Sequence, residues 1–173
     1  MVVASRRARA LGAVEAAVLM GACSLWSLLY AVQMILVDPF WKQMADNLTF
    51  LGTLTVPAAW LLFSLRYTGR TQMFTGGRLL FLTIEPLLAM AAVMTNPLHW
   101  LFYTSAEYVR IGQYLYLQLE HGPLFWIHSI YSYSLLLIAA FHLIRSAISA
   151  PTAYRRQIIV LMIGVLIPWA LNL

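Results

Sequence analysis

Apolar residues recur along this chain in runs long enough to cross a lipid bilayer, and each run is closed by a short polar, aromatic or proline-bearing segment. Five runs are predicted as transmembrane helices, covering about 11–37, 48–65, 79–94, 122–145 and 157–173. The expected fold class is all-α: a polytopic membrane helical bundle with about five transmembrane helices, forming a single module over residues 1–173. The fourth run, GPLFWIHSIYSYSLLLIAAFHLIR, carries no charge until Arg145. At about 1.5 Å per residue it spans a hydrocarbon core of roughly 30 Å. Within it His128, Tyr131, Leu135 and His142 fall near one helix face, because their offsets approximate whole turns. Polar groups in a bilayer core need partners, so this face is expected to look into the protein.

The other runs carry their own signals. Ala13, Ala17 and Gly21 recur every fourth residue, a spacing that permits close contact with a neighbouring helix. Glu15 is expected at the interface, meeting head groups or Arg9. Asp38 and Pro39 end the first span, and Phe40 to Asn47 reads as a short amphipathic linker with Trp41 as an interface anchor. Pro57 interrupts the second span. In the third, Glu85 stands immediately before Pro86, several residues from either end, at a depth where an ionisable group requires a partner or water. The longest connection runs from Thr95 to His121. Its middle, Tyr103 to Leu119, reads as an interfacial amphipathic helix, because Tyr108, Ile111, Leu115 and Leu119 recur near one face.

Composition supports the membrane assignment. The 173 residues are 62% hydrophobic and 10% charged, with a mean hydropathy of +0.78, too apolar for a water-soluble domain. The single Cys23 excludes an internal disulfide and a cysteine-based metal cluster. The net charge of +5 is distributed at span ends and forms no groove, so no nucleic-acid partner is expected. Arg6, Arg7 and Arg9 precede an apolar run too long for a signal peptide, which is read as an uncleaved first helix. A cytoplasmic N-terminus places Arg6, Arg7, Arg9, Arg66, Arg70, Arg78, Arg145, Arg155 and Arg156 inside, and only Lys42 and Arg110 outside. This strong positive-inside bias predicts a multi-pass protein of the cell membrane, with its C-terminus and the long connection outside.

Enzymatic chemistry finds little support. No nucleophile-elbow or zinc-protease pattern occurs, and Gly76 and Gly77 lack the spacing of a phosphate-binding loop. Haem ligation within the chain would need His99 or His121 to partner His128 or His142, and both lie outside the hydrocarbon in this topology. No metal or other cofactor is expected. A candidate ligand-binding or signal-relay site joins Glu85 and Pro86 to His128, Tyr131 and His142, with Glu120 and His121 at its outer entrance. The competing reading is that these residues only stabilise helix packing.

The segments WLLFSLRYTGR (60–70), TNPLHWLF (95–102), EHGPLFWIHSIYSY (120–133), YRRQ (154–157) and PWALN (168–172) occur in an order and spacing more specific than hydropathy alone. Through them the chain resembles the N-terminal seven-transmembrane sensory region found in front of many archaeal and bacterial histidine kinases. The resemblance implies a module that senses a signal and passes it to a kinase or other output protein. The five spans resemble the second to sixth helices of that region, the first falling before Arg6 and the seventh after Leu173. No phosphoacceptor or ATP-binding segment occurs in the sequence, so kinase activity does not carry over. The expected partners are the lipid bilayer and such an output protein. The alternative is a structural or accessory subunit among the subunits of a larger membrane complex.

Overall fold

The computed structural model describes residues 12–70, 76–148 and 152–170. The basic Arg6, Arg7 and Arg9, Leu11, Pro151, Asn172 and Leu173 lie outside them. In chain order the elements are α1 (Ala13–Ile35), α2 (Pro39–Tyr67), α3 (Gly76–Met94), the single turn α4 (Asn96–His99), β1 (Tyr103–Ile111), β2 (Tyr114–His121), α5 (Pro123–Ile148) and α6 (Thr152–Ala170). The expected membrane helical bundle forms, with a β-hairpin added. Three helices, α1, α2 and α5, are long and apolar enough to cross a membrane, and the apolar part of α3, Leu79–Met94, is shorter. Multiple passes follow, although these criteria indicate three spans where the sequence predicts about five.

Helix α2 occupies the centre and packs against α1, α3 and α5. Trp60, Leu61, Phe63 and Leu65 of α2 meet Leu135, Leu136, Ala139 and Leu143 of α5 in the main buried cluster. A second cluster joins Leu54 of α2 to Ala89 and Val93 of α3 and to Phe102 and Tyr103 at the hairpin base. Side chains facing away from these clusters, such as Leu28, Ile130, Leu137 and Phe141, are large, apolar and exposed. In a bilayer that surface meets lipid at no hydrophobic cost.

Residues 40–47 are the first turns of α2 instead of a linker. Asp38 caps them by accepting from the Trp41 N–H at 3.1 Å, and Pro39 takes a position where a missing N–H costs nothing. Lys42, 1% exposed, donates from Nζ to the carbonyls of Gln33 at 2.6 Å and Leu36 at 3.3 Å. It thereby satisfies acceptors at the C-terminal end of α1 and locks the α1–α2 turn.

The small-residue contact forms on another face. Ala13, Ala17 and Gly21 are exposed. The close approach lies at Gly52 of α2, where a Cβ would fall 2.6 Å from the Ala22 carbonyl oxygen and 2.7 Å from Trp26 Cβ. Glu15 is held by Arg66 of α2, Nε to Oε1 at 2.7 Å.

The interfacial helix expected over 103–119 is instead an antiparallel hairpin, with Ile111 opposite Tyr114 and Tyr108 opposite Leu117. Gly112 has φ +61 and is followed by Gln113 at negative φ, the signature of a two-residue hairpin turn with glycine first. Along β2 the partly buried Leu115, Leu117 and Leu119 alternate with exposed residues. Period two therefore prevails over the helical spacing. At the base, buried Asn96 accepts from the N–H groups of Phe102 and Tyr103 and donates to the Tyr103 carbonyl, each at 3.0 Å.

Candidate functional site

Helix α3 contains Pro86, which has no N–H to give the carbonyl four residues earlier, that of Leu82. The Tyr131 hydroxyl of α5 donates to that Leu82 carbonyl at 3.1 Å. One turn further along α3, Glu85 Oε1 lies 2.9 Å from His128 Nδ1. His128 Nε2 in turn lies 3.1 Å from Ser132 Oγ, one turn along the same helix. An ionised Glu85 only accepts, so the ring proton then sits on Nδ1. In the neutral ring Nε2 accepts from the Ser132 hydroxyl. The second carboxylate oxygen, Glu85 Oε2, is buried without a hydrogen-bond partner.

Ser132 and His128 also line a cavity of about 380 Å³ between α1, α2 and α5. Trp26 and Tyr30 reach it from α1, Asp46, Thr49, Phe50 and Thr53 from α2, and Phe125, Ser129 and Tyr133 from α5. His121, the last residue of β2, stands at the hairpin end of the cavity and stacks on Phe125 with centroids 3.7 Å apart. Partial burial pushes the His121 pKa below its ordinary value. Nearby, Tyr103 and Tyr108 are held above theirs, by burial first and by the Asp46 charge second.

The structure thus brings together Glu85, Pro86, His128 and Tyr131, with His121 at the other end of the adjoining cavity. It separates two residues from them. His142 shares the inward face of α5 but lies about three turns beyond Tyr131, where Nδ1 meets Arg70 Nη1 at 2.6 Å. A guanidinium only donates, so that imidazole nitrogen accepts. Glu120 is exposed in β2 opposite Ser105, and Thr104 Oγ1 donates to its backbone carbonyl at 3.4 Å.

Sequence reasoning passed over Ser132 and Asp46 as site members. Ser132 follows His128 by four residues, a spacing that places it within reach of the ring. Asp46 shares a helical face with Thr49 and Thr53, a signal obscured when 40–47 is read as a linker. The order Ser132–His128–Glu85 is that of a hydrolytic triad, but Ser132 sits mid-helix, where neighbouring N–H groups serve the helix and offer no oxyanion donors. The arrangement suits proton or hydrogen-bond relay. Both His128 nitrogens are engaged, so haem ligation would break one of these bonds. Among the described residues no three His, Cys, Asp or Glu side chains cluster as a metal site.

The family model described as the N-terminal 7TM region of histidine kinase matches residues 1–173. No curated protein and no solved structure matches the chain.

Proposed function

This chain belongs to the family of N-terminal 7TM regions of histidine kinases, and we propose that its Ser132–His128–Glu85 chain reports occupancy of the adjoining cavity to the proline-containing helix α3. The matched region is the non-catalytic, sensory part of such a kinase, a multi-pass membrane module in signal transduction. The observation that carries the proposal is the 2.9 Å contact between Glu85 and His128, which couples α3 to a helix that lines the cavity.

A ligand that takes the Ser132 hydroxyl frees His128 Nε2, and one that displaces His128 withdraws the Nδ1 donor from Glu85. Glu85 then keeps or loses its partner. Beside Glu85 the α3 ladder already lacks one backbone bond at Pro86, so α3 has a natural point at which to shift. Binding moves this equilibrium only as far as the ligand prefers one arrangement over the other.

The single module crosses the membrane five times in this reading, with a cytoplasmic N-terminus, the hairpin and cavity mouth outside, and a kinase or other output protein as partner. Nine basic residues against two support that orientation. Cysteines introduced at Gly76 and Gly112, after replacement of Cys23, should label from opposite sides; labelling from one side rejects it. For the relay, folded Glu85→Gln and His128→Gln variants should lose ligand-dependent output in a signalling assay. Unchanged output in both, at unchanged thermal stability, rejects Glu85 and His128 as the sensing pair.

A further inference from the structure

The cavity has a chemical bias beyond its size. Its one acidic lining residue, Asp46, has Oδ2 buried with no hydrogen-bond partner. Lys42, one turn earlier, does not fill the vacancy, because its Nζ is bound to the carbonyls of Gln33 and Leu36. Among the described residues that line the cavity there is no lysine or arginine. The same cavity is lined by the aromatic side chains of Trp26, Tyr30, Phe50, Phe125 and Tyr133. Aromatic faces attract cations through their quadrupole, most strongly where water is thinned.

We infer that this cavity takes a small organic monocation, its ammonium group held by the Asp46 carboxylate and the surrounding aromatic rings. An anion would meet a carboxylate with no lining cation to offset it. A hydrocarbon chain would leave the buried Asp46 Oδ2 desolvated and unpaired. A hard metal ion needs several oxygen ligands, and one carboxylate is supplied. The 380 Å³ volume falls in the usual range for small-molecule sites. Asp46 and Tyr30 also line a second, smaller cavity of about 160 Å³ beneath Leu115–Leu117 of β2, and there Lys42 joins them. Asp46 and Tyr30 are thus shared by the two cavities. Lys42 is the charged group nearest by sequence; two of its three Nζ protons go to the carbonyls of Gln33 and Leu36, and its positive charge weakens the attraction of Asp46 for a cation.

This inference rests on the reading of the cavity as the sensing site but not on the relay, and its test separates the two. The full chain in lipid nanodiscs is titrated calorimetrically with choline and benzylamine, and in parallel with their neutral counterparts dimethylbutanol and benzyl alcohol. At least one cation should bind saturably and about tenfold or more tighter than its neutral counterpart. Asp46→Asn should remove most of that preference, Asp46→Glu should restore part of it, and Trp26→Leu should weaken cation binding without loss of the folded state in thermal melts. If neither cation binds, if neutral and charged probes bind alike, or if Asp46→Asn or Trp26→Leu leaves the preference intact, the inference is overturned. Cation binding together with unaltered signalling in Glu85→Gln and His128→Gln sustains the inference and removes the relay.

Discussion

The Tyr131 hydroxyl donates at 3.1 Å to the carbonyl of Leu82, the backbone acceptor that Pro86 leaves without its helical donor. A side chain of α5 therefore completes the hydrogen bonding of α3. Both helices also contribute to the Glu85–His128 pair one turn away. The proline weakens α3 locally, and the tyrosine repairs it through a contact that helix movement can break.

Tyr131→Phe should destabilise the protein by about 1 kcal/mol, since it leaves a part-buried carbonyl without its donor. With Pro86→Ala the helix regains its own N–H, and the same Tyr131→Phe change should then cost much less. A double-mutant cycle of thermal or denaturant stability in detergent measures this coupling. Equal costs in both backgrounds would show that the hydroxyl does not serve the Leu82 carbonyl.

Two glycines of the α1–α2 pair should respond in opposite ways to alanine. At Gly52 the added Cβ meets Ala22 backbone and Trp26, so Gly52→Ala should cost about 1–3 kcal/mol and displace Trp26 from the cavity wall. At Gly21 nothing lies within 4 Å. Gly21→Ala should be neutral or slightly stabilising through helix propensity. Melting temperatures and tryptophan emission of the two variants check this directly.

Asn96 holds the base of the hairpin through three bonds of 3.0 Å to Phe102 and Tyr103. Asn96→Ala orphans buried backbone groups there and should cost about 2–4 kcal/mol. Hydrogen exchange should rise first at Phe102 and Tyr103. Asn96→Asp keeps the acceptor and loses the donor, so it should restore protection of the two N–H groups only.

His121 supplies a pH dependence. Its folded-state pKa is lowered by partial burial, so the native protein prefers the neutral ring. The resulting stability is present above the ordinary histidine value of about 6.5 and declines as pH falls through the lowered value. The melting temperature should therefore drop on acidification below about pH 6.5. His121→Phe, which keeps a ring to stack on Phe125, should reduce that drop; an unaltered pH profile would assign it to other groups.

Much of this architecture was legible in the sequence because it depends on local quantities. Hydropathy over a window of about twenty residues locates the apolar helices, since a bilayer demands that every backbone group be satisfied within its own segment. The depth of Glu85 and Pro86 and the shared face of His128, Tyr131 and His142 follow from spacing along single helices. Membership of a sensory family was legible in strings such as EHGPLFWIHSIYSY. What spacing does not contain is which faces meet. Tertiary packing alone set Gly52, and not the Ala13–Gly21 stripe, at the α1–α2 contact. It also drew His142 to Arg70, away from Glu85. The hairpin was misread for a related reason: Tyr108, Ile111, Leu115 and Leu119 fit a helical period while Leu115, Leu117 and Leu119 fit a strand. A single strand's alternation is decided only when a partner strand supplies its hydrogen bonds. Asp46 joins the cavity only because α1, α2 and α5 converge around it. A burial site made by three separate segments is a property of their packing, which no one segment encodes.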